Sequence, residues 1–147
     1  MLGAGYLTEF AIPVKVADHT TAGTGDVSCA SVDMAADGGY DGVLFMTSYG
    51  TAAADNILKA AGSDDDSTFS EYASTAQIAS GAAPSNEDVL LDIQRPLQRY
   101  VKPVPERGTS STCESVWAIR YRSRNRAVTT VVSGTAGLAQ ATSPANA

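Results

Sequence analysis

The sequence predicts an all-β fold, an antiparallel β-sandwich or jelly-roll-like barrel of about seven to eight strands. Three observations predict it. Gly, Ser, Thr, Ala and Val dominate while Leu, Lys and Glu are sparse, which disfavours a helical bundle. Apolar residues recur with period two along one segment after another. Turn signals separate these segments at short intervals, and no long helical pattern interrupts them. A chain of 147 residues is expected to form one domain, large enough to bury a core without staples. The reading places a single β-sandwich domain at 1–132 and an uncharged Ala/Thr/Ser tail or arm at 133–147.

The elements follow in order. In 6-YLTEFAIPVKV-16, Phe10, Ile12, Val14 and Val16 share one face and Glu9 and Lys15 the other. Pro13 removes a ladder donor there, which suits an edge strand or a bulge. The stretch 22-AGTGD-26 reads as a hairpin turn, and a strand is expected over 24–35. After the turn 36-ADGG-39, the segment 40-YDGVLFMTS-48 is apolar on both faces, as a central strand is. Residues 50–62 read as a helical turn, or as a loop leading to a strand through Ile57 and Lys59. A polar loop at 63–72 precedes a strand at 74–79 and a turn at 81–86. In 87-EDVLLDIQ-94, Val89, Leu91 and Ile93 point inward and Asp88 and Asp92 outward. A strand at 98–104 is expected to end near Pro105 and Gly108. The strand 112-TCESVWAIRYR-122 is read with Cys113, Trp117, Ile119 and Tyr121 on one, core-facing side, and 127–132 as a final strand.

Charge is distributed unevenly along this chain of net charge −6. Residues 1–94 hold two basic and fourteen acidic side chains, a balance of −12. Residues 95–126 hold eight basic and two acidic ones, a balance of +6. Arg95, Arg99, Lys102, Arg107, Arg120, Arg122, Arg124 and Arg126 are therefore the candidate protein-interface residues. Arg120, Arg122, Arg124 and Arg126 form a column opposite Trp117 if the extended backbone continues. The alternative is internal pairing of these arginines with Asp88, Asp92 or Glu106 on adjacent strands. Nucleic acid is not expected as a target, because a phosphate-binding domain is usually basic overall. An acidic protein surface fits the two-signed charge pattern better.

No catalytic signature stands out, and the chain is read as a non-enzyme without cofactor or metal. Cys29 and Cys113 form no CxxC and lie far from the single His19, which argues against zinc. Two free thiols are expected, with one disulfide as the alternative. The 64-DDD-66 run lacks the spacing of a calcium loop and reads as a solvated turn. The glycines of 22-AGTGD-26 come without the lysine of a phosphate loop. His19 lies in a polar turn, and no GxSxG elbow accompanies it. The start MLGAGYLTEF has neither a basic nor an apolar signal region, and no run of about 18 apolar residues occurs. A soluble protein of the reducing cytoplasm, with no membrane partner, is expected.

Three stretches together carry a resemblance: 38-GGYDGVLFMTSYG-50, 88-DVLLDIQRPLQRYVKPVPERG-108 and 116-VWAIRYRSRNR-126. They resemble small β-rich structural proteins of tailed bacteriophages, over roughly residues 24–132. The RP-x-x-RYV portion (Arg95, Pro96, Arg99, Tyr100, Val101) is the most specific part. The resemblance implies a virion decoration or cement protein on the capsid exterior. Such a protein binds the major capsid protein lattice as a homo-oligomer, dimer or trimer. A head–tail neck or tail component is the alternative it implies. The acidic 63-SDDDSTFSEY-72 loop and the long tail depart from the pattern, so no lattice-contact residue is carried over. A third reading, a carbohydrate- or cell-surface-binding module, would need exposed loop aromatics, for which only Tyr49, Phe69 and Tyr72 are available.

Overall fold

A computed structural model describes residues 6–52, 56–72, 77–78, 86–122 and 135–142. Among them the chain is all-β. Its strands are β1 (Ala11–Ala17), β2 (Thr20–Asp26), β3 (Val32–Asp33), β4 (Gly42–Tyr49), β5 (Ile57–Ser63), β6 (Ser70–Glu71), β7 (Gln77–Ile78), β8 (Glu87–Gln94), β9 (Tyr100–Cys113), β10 (Val116–Tyr121) and β11 (Thr135–Thr142). Short 3₁₀ turns stand at Leu7–Glu9 and Ala36–Gly38. All pairings are antiparallel except that of β11, which runs parallel to β8. The strands form one hydrogen-bonded sheet that is not closed into a barrel.

One half of that sheet runs β1–β10–β4–β8, and the other centres on β9 and β5. The halves meet where Tyr49, the last residue of β4, pairs with Cys113, the last residue of β9. Cross-strand rows explain the core. Val14, Ala118, Phe45 and Leu91 lie side by side across the first half, and Ile12, Arg120, Val43 and Ile93 make the next row. From the second half come Leu58, Ala60 and Val101, all fully buried in the same cluster as Phe45 and Leu91. Each fully buried Val, Leu, Ile or Phe contributes about 1.5–3 kcal/mol relative to exposure. Tyr49 is buried with its hydroxyl 3.2 Å from the Ile57 carbonyl and 3.1 Å from that of Glu106, tying β4 to β5 and β9. Burial pushes that hydroxyl well above the usual tyrosine range.

Several expected elements are present as read. β4 is central, flanked by β10 and β8. In β8, Val89, Leu91 and Ile93 are fully buried while Asp88 and Asp92 lie on the other face. Among the described strands β1 has only β10 as its partner, so Pro13 lies on an edge strand as expected.

Other expectations need correction. Residues 20–26 are not a hairpin turn but β2, a strand with register shifts against β9. β3 occupies only Val32–Asp33 of the strand expected over 24–35. β9 does not end at Pro105; it runs through Pro103, Pro105 and Gly108 to Cys113. The Pro105 carbonyl accepts the Val27 N–H, so its backbone faces the side of β2 and β3. Pro103 points the same way, two residues along. Both missing donors therefore fall in the gap between the β3 pairing at Val101 and the β2 pairing at Glu106, and the β5 ladder is untouched. The segment 133–147, read as a tail or arm, needs no such correction: β11 within it pairs with β8. The strand expected at 127–132 and most of the turn at 81–86 lie outside the described residues.

The face assignment at Trp117 also reverses. A corner at Glu114–Ser115 separates β9 from β10, so inward Cys113 and inward Val116 stand three positions apart instead of an even number. Val116 and Ala118 are buried, and Trp117 is 40% exposed on the outer face.

Candidate docking surfaces

Because Val116 and Ala118 face inward, Arg120 follows them onto the core side of β10. Its guanidinium stacks 4.5 Å from the centre of the Tyr40 ring and donates from Nη1 to the Asp33 carbonyl at 2.9 Å. The Nε atom is buried and has no hydrogen-bond partner among the described residues. Arg122 lies 4.8 Å from the same ring, and donates to the Gly39 carbonyl at 3.0 Å and to the Asp37 carbonyl. The Tyr40 hydroxyl donates to Asp37 Oδ2 at 3.0 Å. Asp37 and Gly39 have φ of 53° and 95°, and this left-handed backbone aims the turn's carbonyls at the arginines.

Arg99 grips Asp33 with both ends of its fork, Nε at 3.0 Å and Nη2 at 2.9 Å. That bond, ahead of other causes, holds the Asp33 carboxyl below its ordinary range. Arg107 donates to the carbonyls of Thr21 at 2.8 Å, Thr24 at 3.2 Å and Gly25 at 3.2 Å, pinning the irregular β2 onto β9. Lys102 lies 4.2 Å from the Phe69 ring centre. Arg95 is different. It is exposed, its guanidinium has no partner among the described residues, and its backbone φ is 51°. Its N–H donates to the Asp41 carbonyl at 2.7 Å, so the loop 95–99 is fastened by backbone at one end and by Arg99 at the other. Leu97 is 63% exposed between them.

Of the column expected from Arg120, Arg122, Arg124 and Arg126, the first two lie together over the Tyr40 ring. Arg99, Arg107, Arg120 and Arg122 are engaged by Asp33, backbone carbonyls and Tyr40, rather than by Asp88, Asp92 or Glu106. Arg124 and Arg126 lie outside the described residues. Glu106 instead accepts Lys59 at 2.9 Å, and Lys59 also reaches Glu71 at 3.1 Å. Asp92 accepts the Tyr121 hydroxyl at 2.6 Å, and burial raises its carboxyl above the ordinary value. The role of Tyr40 escaped the sequence reading, which counted it as part of the apolar strand.

The remaining motifs resolve locally. Asp65 accepts the N–H groups of Ser67 and Thr68, both at 2.9 Å, and the Ser63 hydroxyl at 2.8 Å, so it builds its own turn. These bonds hold its carboxyl well below the usual range. Cys29 and Cys113 are free thiols, and burial pushes Cys29 up to about 12. Tyr49 and Tyr72 are buried, which removes two of the three aromatics a carbohydrate-binding module would need. No group of three or more metal-ligating side chains occurs among the described residues, and none of the described helices is long and apolar enough to cross a membrane.

Comparison with protein-family models, with curated proteins and with solved structures finds no match.

Proposed function

We propose that this chain is a non-enzymatic structural protein of a tailed-bacteriophage particle, a decoration or cement protein that binds the major capsid protein and stabilises the head. The observation that carries this reading is the loop 95–99. It is the most specific part of the resemblance, and it presents an exposed Leu97 and an Arg95 whose guanidinium has no partner among the described residues, on a base fastened through Asp41 and the Arg99–Asp33 pair. An apolar residue beside a cation that has no partner among the described residues, on a loop fastened at both ends, suits insertion against an acidic protein surface. The three resembling stretches also fall together, on β4, on β8 with β9, and on β10, which are joined through β4.

In this reading the arginines act in two ways. Arg107, Arg120 and Arg122 stiffen the framework, and Arg95 contacts the lattice. Affinity per copy can be modest, since repeated engagement across a lattice raises effective concentration.

The test is incorporation into particles. The copy number relative to the major capsid protein, by quantitative mass spectrometry, should be near one to one or a simple fraction of it. Roughly one copy per several tens of capsid subunits would assign the protein to the neck or tail instead. Absence from particles would overturn the structural reading. Arg95→Glu combined with Leu97→Ser should leave the protein folded and reduce incorporation at least tenfold. Unchanged incorporation would remove the loop from the interface.

A further inference from the structure

We propose that the outer face of β1–β10–β4–β8 is the docking surface for a second copy of this chain. The two sheets would stack face to face about a twofold axis running between β10 and β4. The outer face carries two cross-strand rows, Lys15–Trp117–Met46–Leu90 and Pro13–Ile119–Leu44–Asp92. Trp117 is 40% and Met46 36% exposed, so a neighbouring aromatic and thioether face solvent at the centre of the patch. Leu44, Leu90 and Ile119 beside them are half-buried. The outer face of the β5–β9 half is built differently: Lys59, Glu71 and Glu106 form ion pairs there, as on a solvated surface. The apolar patch is therefore a property of one face and not of the whole exterior.

Charge at the rim selects the occupant. Lys15 stands at the β1 edge, and Asp88 and Asp92 stand on β8, between β4 and β11 at the far side of the patch, on either side of Leu90. A complementary partner needs an apolar centre with an acidic side and a basic side. This face meets that description itself. A twofold axis between β10 and β4 exchanges β1 with β8 and sets Trp117 of one copy over Met46 of the other. Lys15 then lies over Leu90 of the second copy, flanked by its two aspartates, and the contact occurs twice. The present partner of Lys15 is Asp18 at 2.5 Å, a pair with side chains 47% and 82% exposed, which is readily exchanged.

Four strands at about 4.8 Å spacing and about 20 Å long give a footprint of roughly 400 Å² per copy. The two copies together would cover about 800 Å², below the roughly 1,200–2,000 Å² of stable specific interfaces, so the dimer should be weak and rapidly reversible. It stands apart from the loop 95–99 and from any capsid, because it is read on purified protein in solution.

Sedimentation velocity on the full chain, from about 1 to 500 µM, tests it. The expected result is a concentration-dependent monomer–dimer equilibrium. Trp117→Ser should raise the dissociation constant at least tenfold with unchanged circular dichroism. Lys15→Glu should weaken the dimer, and Lys15→Glu with Asp88→Lys should restore it, since the swap keeps opposite sides complementary. Three results overturn the proposal. They are a monomer at every concentration, an oligomer indifferent to Trp117→Ser, or one in which the charge swap fails to rescue.

Discussion

The guanidinium of Arg120 lies 4.5 Å from the centre of the Tyr40 ring, on the side of β10 that faces the core. In its cross-strand row it sits between Ile12 and Val43, a position where an uncompensated charge would be costly. The ring face and the Asp33 carbonyl compensate it. A charge-assisted hydrogen bond contributes about 1.5–3 kcal/mol and a cation–π contact about 0.5–2. Arg120→Ala is therefore expected to lower stability by about 2–4 kcal/mol in urea unfolding. Tyr40→Phe, which keeps the ring, should lose less than Tyr40→Leu, and Arg95→Ala should stay within about 0.5 kcal/mol.

Trp117 and Leu91 invert the usual ranking by size. Trp117 is the larger residue but stands 40% exposed, whereas Leu91 is fully buried beside Phe45. Leu91→Ala should cost about 2–5 kcal/mol. Trp117→Ala should cost clearly less, about 1 kcal/mol, when measured on dilute monomer. A larger loss for Trp117 than for Leu91 would mean that the outer face is core after all.

These two residues also show what could be read from sequence. β8 was legible because its alternation runs unbroken and one face is uniformly aliphatic, so burial and period agree. β10 was not, because one corner at Glu114–Ser115 changes parity, and period two carries no memory across a corner. The same limit hid the length of β9. A proline argues against a strand only if its missing N–H belongs to the ladder, and sequence does not say which side the neighbour occupies. The basic cluster was visible as composition. Which of the described cations are engaged depends on carbonyls of the irregular strand β2 and of the turn at 37–39, and backbone carbonyls leave no trace in residue type.

Gly42 and Tyr121 are register partners, and the Tyr121 ring lies across the glycine to reach Asp92 on β8. A methyl group on Gly42 would overlap that ring. Gly42→Ala should therefore displace Tyr121, break its bond to Asp92 and destabilise the protein by about 1–3 kcal/mol. Because both changes act through one contact, Gly42→Ala should cost much less when Tyr121 is already Ala. A double-mutant cycle by chemical denaturation reads the coupling, and full additivity would show that the ring does not depend on the glycine.

Asp33 provides the acid-sensitive joint of the loop 95–99. Its carboxyl is held below the ordinary value by Arg99, with help from the Ala35 N–H. A depressed folded-state pKa adds stability that is fully present above the unfolded value, about 3.9, and is lost as pH falls through the folded one. Asp33→Asn removes this titration while keeping the side-chain shape. The variant should be less stable than the parent at neutral pH, and the difference should close progressively below about pH 4. Thermal unfolding of both proteins between pH 2.5 and 7 measures it. A constant difference across that range would show that the Arg99–Asp33 pair does not govern the anchoring of the loop, and Arg99→Ala should reproduce the same pH-dependent loss if it does.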